Sequence, residues 1–252
     1  MPQIRENKVK RKLERGEIAV VLAGPTTPDL LDMMGPLGFD GAWIEGEHGP
    51  IDFADIPDMT RACDLWEMTS VVRVNLNLPG VIYRTLDVGA MGIVVPHVNT
   101  ADEARAVVEA AKFGPIGARG AFGSRQGYGI PDYMRQANDQ TLVVVLIEDI
   151  VAVNNLTEIL EVDNIDVFFV APSDLAQSMG HVGDISHPEV VATIDRALAQ
   201  ITAAGRTAGA LVSDASVESY IQRGARFLMI AWPAWVANGS SAFLEKVASV
   251  GG

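Results

Sequence analysis

Between Thr141 and Gly180 the chain reads TLVVVLIEDIVAVNNLTEILEVDNIDVFFVAPSDLAQSMG: a strand, a helix and a second strand, with an acid just past each strand. Leu142 to Ile147 is a continuous apolar, β-branched run, as a strand covered on both faces requires, and it ends at Glu148. Ile150, Val151, Val153, Leu156, Ile159 and Leu160 then recur at roughly helical spacing, and Val167 to Val170 leads through Ala171-Pro172-Ser173 to Asp174. The separation of 26 positions between Glu148 and Asp174 makes about one strand-helix repeat. Parallel neighbouring strands lie about 5 Å apart, so both acids belong to the carboxyl edge of one sheet, where such sheets bind ligands. Two carboxylates that close repel unless one is protonated or a cation lies between them. The alternative is that each acid caps the helix that follows it.

The rest of the chain repeats this unit. Strands are predicted at Ile18 to Ala23, Ala42 to Ile44, Ser70 to Val74, Gly92 to Val95, Thr207 to Leu211 and Phe227 to Ile230. Helices fall at Pro28 to Met34, Phe53 to Trp66, Gly80 to Val88, Ala101 to Lys112, Pro188 to Ala203, Ala215 to Arg223 and Ala234 to Val250. With the two strands already described there are eight, and 252 residues divided among eight units leaves about 31 per unit, which fits a single-domain (β/α)8 barrel over 1–252. A doubly wound open sheet is the rival, but no G-x-G-x-x-G follows the first strand, and polar residues cluster after many strands rather than at one switch point. The first sixteen residues are expected to form a surface helix with no apolar signal core.

A net charge of −13 argues against a nucleic-acid or anionic-membrane partner, both of which need a basic face. No apolar stretch reaches the roughly 20 residues of a membrane span. Cys63 is the single cysteine, so no internal disulfide forms, and a reducing, cytoplasmic setting is expected. The ligand expected is a small molecule.

The predicted strand ends carry Glu45, Glu47 and His48, then Arg73, Glu148 and Asp174. Of the four histidines, His48 alone sits among acids and glycines directly after a strand; His97 follows Pro96, and His181 and His187 flank a polar loop. The five lysines (Lys8, Lys10, Lys12, Lys112 and Lys246) all fall in predicted helices, so no strand end offers an amine for a Schiff base. An electron sink here is therefore a metal, and two carboxylates suit Mg²⁺ or Mn²⁺ better than zinc. One segment breaks the repeat. Phe113 to Gln140 carries GARGAFGSRQGYGIPDYM, in which Arg119 and Arg125 could pair with carboxylate or phosphate, as a lid, a binding loop or a subunit contact.

These residues give the chain a resemblance to the HpcH/HpaI family of divalent-metal-dependent pyruvate aldolases. It runs from Gly46-Glu47-His48 through VVRVN at Val71 to Asn75, LDVGAMGIVVPHV at Leu86 to Val98, DEAR at Asp102 to Arg105 and Arg119-Gly120, to Ile147-Glu148 and Pro172-Ser173-Asp174-Leu175. The resemblance implies Glu148 and Asp174 as metal ligands for Mg²⁺ or Mn²⁺, with Co²⁺ as a substitute. His48 becomes the general base, Arg73 the enolate-stabilising cation, and Asp87 the acid that raises the basicity of that histidine from across a subunit interface. It further implies cleavage of 4-hydroxy-2-oxo acids and a homo-hexamer, a trimer of dimers. The chain departs from the family at Leu146, where a Gln is frequent two before the metal-binding Glu, at Ser173, frequently Ala, and at Glu45, usually Asp. Substrate contacts are expected from Glu45, Arg73, Ser173, Asp174 and Leu211, with Leu146 relaxing specificity and the Arg125 loop influencing the aldehyde. Two rivals stand beside this reading: an acyl-CoA lyase of the citrate-lyase-type branch, and a barrel that binds an oxo acid without acting on it. The last helix, after Trp232 and Trp235, is expected at a subunit interface.

Overall fold

A computed structural model describes residues 3–251. Eight parallel strands close into a barrel in chain order, with β8 returning to β1. They are β1 (Ala19–Ala23), β2 (Gly41–Glu45), β3 (Thr69–Arg73), β4 (Gly92–Val95), β5 (Leu142–Ile147), β6 (Val167–Val170), β7 (Ala208–Val212) and β8 (Ala225–Ala231). The helices are α1 (Lys8–Glu14), α2 (Pro28–Met34), α3 (Ile56–Leu65), α4 (Pro79–Asp87), α5 (Ala101–Ala111), α6 (Tyr133–Gln140), α7 (Ile150–Asn154), α8 (Leu156–Leu160), α9 (Pro172–Ser178), α10 (Pro188–Ala203), α11 (Val217–Gln222) and α12 (Pro233–Gly251). The (β/α)8 expectation holds, and β4, β5, β6, α2 and α10 begin and end where the apolar runs and prolines place them.

The two-residue period of the strands decides what enters the barrel. One buried cluster joins Val21, Trp43, Val71, Val94, Val144, Leu146, Val167, Phe169 and Phe227, which alternate along their strands. Their neighbours on the opposite face pack under the helices. Continuing the interior register toward the carboxyl edge turns Glu45 inward after Trp43, Arg73 after Val71 and Glu148 after Leu146. Small residues make room for this filling. A Cβ on Gly209 would come within 2.8 Å of both Phe169 and Val167.

The amino-terminal helix departs from expectation. Val9 is 0% exposed and Leu13 9% exposed, so α1 closes the amino end of the barrel instead of lying on the surface. Those residues are four apart and share a face, and two apolar side chains among charges suffice to plug a barrel mouth. Polar contacts fix the plug: Asn7 Nδ2 donates to the Met91 carbonyl at 3.0 Å, Val9 N–H to Thr69 Oγ1 at 3.2 Å, and Lys10 Nζ to Asp166 at 2.6 Å.

Nearby, Lys112 is 2% exposed and donates to the carbonyls of Thr141 at 2.6 Å and Asn138 at 2.8 Å. Burial brings its amine from the ordinary 10.5 down to about 8. Between those values the unfolded chain holds the extra proton, so this group's contribution to stability should rise with pH through that window, by up to about 3 kcal/mol. Denaturation midpoints of the wild type relative to Lys112→Gln measure it, and a difference flat between pH 8 and 10.5 contradicts it.

Candidate active site at the carboxyl edge

Arg73 is the pivot of the site. Its Nε donates to Glu45 at 2.8 Å, its Nη2 lies 2.7 Å from the same carboxylate, and its Nη1 lies 3.0 Å from Glu47. The guanidinium is 5.8 Å from the centre of the Trp43 ring, which itself rests on Phe169 at 5.4 Å. Glu45 is thoroughly engaged: besides Arg73 it accepts from Trp43 Nε1 at 3.1 Å and from the main-chain N–H groups of Glu47 at 2.8 Å and His48 at 3.0 Å. Burial pushes its carboxyl up, but Arg73 and the His48 amide outweigh that and hold it below the usual range. Glu45 therefore shapes the loop that carries His48 and aims Arg73. The loop turns tightly, since a Cβ on Gly46 would lie 2.7 Å from the Arg73 carbonyl and one on Gly49 2.7 Å from the Glu45 carbonyl.

Glu148 is 3% exposed at the end of β5. Its Oε1 accepts the main-chain N–H of His97 at 2.8 Å and lies 3.4 Å from His97 Nδ1, while Oε2 has no donor among the described residues. Burial raises its pKa, with Asp174 and Glu47 adding to the rise and the His97 contacts opposing it. Asp174, partly buried in the first turn of α9, is near enough for its charge to add to that rise. A desolvated carboxylate with an open oxygen, facing other acids, is the donor chemistry of a hard cation, and the pair fits that group.

The other expected residues fall as follows. His48 is at the mouth, its side chain 68% exposed and its Nε2 3.8 Å from Glu47 Oε2. Ser173 is exposed on α9. Leu211 stands two residues after the inward-packed Gly209 and is 37% exposed, so it lines the open mouth. Leu146 is 1% exposed within the barrel filling, one layer beneath Glu148.

Asp87 is not brought to this edge within the chain. It is the last residue of α4, which runs back to the amino edge where β4 begins, and Arg119 Nη2 donates to it at 2.6 Å. The glycine-rich segment lies at that edge too. Ser124 Oγ donates to the Leu86 carbonyl at 2.8 Å, Gln126 Nε2 to the Gly89 carbonyl at 3.0 Å, and Arg125 Nη2 to Asp64 of α3 at 2.5 Å. Arg119 and Arg125 thus neutralise acids of their own chain, and the segment does not cover the site of its own barrel.

Sequence reasoning missed His97. Its backbone is left-handed, with φ 54°, and its ring reaches both Glu148 and, at 3.9 Å, Glu47. The signal available was the dipeptide itself: after a proline that ends a strand, the next residue provides the first N–H beyond it. Among the described residues, His181, His187 and Glu189 are a separate cluster with three potential metal donors. It lies beyond α9 and satisfies itself: His181 Nε2 is 3.2 Å from Glu189, the two rings stack with centres 3.6 Å apart, and His187 Nδ1 accepts the Glu189 N–H at 3.3 Å.

The chain is similar to known proteins over most of its length. The profile of HpcH/HpaI aldolase/citrate lyase matches residues 19–234. The hydroxypyruvate/pyruvate aldolase of Roseovarius nubinhibens is 38% identical over 230 residues, covering 89% of this chain and 90% of that one. The 4-hydroxy-2-oxo-heptane-1,7-dioate aldolase of Salmonella dublin is 40% identical over 205 residues, 79% of this chain and 78% of that one. A crystal structure of a HpcH/HpaI aldolase/citrate lyase family protein from Burkholderia cenocepacia superposes with a TM-score of 0.90 at 30% identity, over 96% of this chain and 99% of that one. The chain belongs to the HpcH/HpaI aldolase/citrate lyase family and is an enzyme of its aldolase branch.

Proposed function

We propose that the chain is a divalent-metal-dependent aldolase that reversibly cleaves 4-hydroxy-2-oxo acids to an aldehyde and pyruvate or hydroxypyruvate. The observation that carries this reading is Glu148, a carboxylate 3% exposed whose charge is opposed by burial and by Asp174, while Arg73 at the same edge is already committed to Glu45 and Glu47. Glu148 and Asp174 would hold Mg²⁺, Mn²⁺ or Co²⁺, which supplies Lewis acidity toward the keto and carboxylate oxygens of the oxo acid.

The chain's own residues do the rest. His48, open to solvent and 3.8 Å from Glu47, takes the proton of the C4 hydroxyl directly or through a water. The C3–C4 bond then breaks, its electron pair stays on the pyruvate fragment as an enolate, and the other fragment leaves as the aldehyde. Arg73 faces the charge that develops on the enolate oxygen. Ser173 and Leu211 border the substrate, and Leu146 gives an apolar floor where a hydrogen-bonding side chain would otherwise discriminate, which favours several aldehydes over one. The names of the relatives, one on hydroxypyruvate and pyruvate and others on a seven-carbon dioate, are in keeping with a donor choice between pyruvate and hydroxypyruvate.

We further place the chain in a homo-hexamer in the cytoplasm. Phe243, Leu244, Val247 and Val250 of α12 are exposed by 54–86%, an apolar face that a neighbouring copy would bury. In that assembly Asp87 would serve the His48 of an adjoining copy. Light scattering at micromolar concentration should give a hexamer, and a monomeric mass removes the Asp87 role. No described helix is long and apolar enough to cross a membrane.

The test of the activity is retro-aldol turnover on a 4-hydroxy-2-oxo acid. It should fall to background after full chelation with EDTA and return with Mn²⁺ or Mg²⁺. Turnover that survives chelation contradicts the metal requirement. Cleavage of a malyl-CoA-type thioester with none of free oxo acids contradicts the substrate class.

A further inference from the structure

We propose that His97 is a positioning residue for Glu148, acting through its main chain and its ring together, an inference that rests on the reading of Glu148 as a metal ligand. Pro96 ends β4 and has no N–H, so the first main-chain donor past the strand belongs to His97. His97 adopts φ 54°, a left-handed conformation that side chains with a Cβ rarely hold without compensation. The compensation is visible: in that conformation its N–H reaches Glu148 Oε1 at 2.8 Å and its Nδ1 sits 3.4 Å from the same oxygen. Both contacts fall on Oε1 and leave Oε2 without a protein donor.

The ring also has a second neighbour. Its Nε2 lies 3.9 Å from Glu47 Oε1, and Glu47 is held in turn by Arg73 at 3.0 Å. Arg73, Glu47, His97 and Glu148 therefore form a line of contacts across the ends of β3, β2, β4 and β5. The imidazole is 65% exposed, so apolar burial does not account for its place between two acids. Its effect is to keep Glu148 from turning its open oxygen toward Arg73 or away from Asp174, fixing one donor before the cation arrives. Outer partners of this kind set ligand orientation and affinity.

The experiment is Mn²⁺ titration by calorimetry of the full chain and three variants. Wild type should bind, and Glu148→Ala should lose that binding. His97→Ala should weaken the Mn²⁺ dissociation constant by about 10- to 100-fold while remaining folded at the titration temperature, as its thermal melt checks. His97→Asn, which tolerates the left-handed conformation and keeps a polar side chain, should recover most of it. If His97→Ala binds Mn²⁺ as wild type does, the positioning role is overturned while the metal reading stands. If wild type binds no Mn²⁺, or Glu148→Ala binds it undiminished, the metal reading falls and this inference with it.

Discussion

Arg73→Lys should lower the turnover number on the order of 10²-fold or more, with a much smaller change in KM. Lysine keeps the charge but not the geometry. Arg73 reaches Glu45 through Nε and Nη2 and Glu47 through Nη1, using three separate nitrogens of one planar fork. A single ammonium cannot satisfy both carboxylates and still face a third negative group. Arg73→Ala should cost more, because Glu45 and Glu47, with side chains 25% and 10% exposed, would be left as unpaired acids beside Glu148. Steady-state kinetics of both variants check this. A Lys variant that changes only KM would mean that Arg73 binds the substrate without stabilising the charge that forms in the reaction.

The second large effect belongs to Glu148, and it has two opposite signs. Glu148→Gln should reduce retro-aldol activity to background, since an amide is a poor ligand for a hard cation. The same substitution should raise the melting temperature of the metal-free protein at neutral pH. Gln keeps an Oε1 acceptor for the His97 N–H and removes a buried charge that burial, Asp174 and Glu47 all disfavour. Linkage gives the same direction: with its pKa above the ordinary 4.5, native Glu148 holds its proton longer than in the unfolded chain, so metal-free stability declines as pH rises past that value. Adding Mn²⁺ should reverse the order, stabilising wild type and leaving the variant unchanged. Thermal melts with and without metal read both effects. A metal-free Glu148→Gln protein that melts lower than wild type would show the carboxylate to be a structural anchor.

The barrel was legible because its strands are covered on both faces and therefore appear as unbroken apolar runs, of which Leu142 to Ile147 is the plainest. The placement of Glu148, Arg73 and Glu45 at one edge follows from that register alone. Other features depend on contacts between distant segments. Val9 and Leu13 are too few to distinguish a barrel plug from a surface helix, and their burial is decided by the amino mouth that β1 to β8 create. Glu45 looked like a free substrate ligand; five donors from Trp43, Glu47, His48 and Arg73 occupy it, and no local pattern reports that. Arg119 and Arg125 have the composition of an anion-binding loop, yet the end of α5 delivers them to the amino edge, where Asp87 and Asp64 claim them. His97 was hidden for a backbone reason, since its contacts with Glu148 arise from a left-handed turn that a non-glycine residue does not announce.

The central claim is that Glu148 and Asp174 hold the catalytic cation at the carboxyl edge, beside Arg73 and His48. The most direct measurement is anomalous diffraction near the manganese edge, from crystals grown with saturating Mn²⁺ and pyruvate. The account predicts a peak at the Glu148 and Asp174 carboxylates, with pyruvate density beside it. No peak at that pair, or manganese found only at His181, His187 and Glu189, would contradict it.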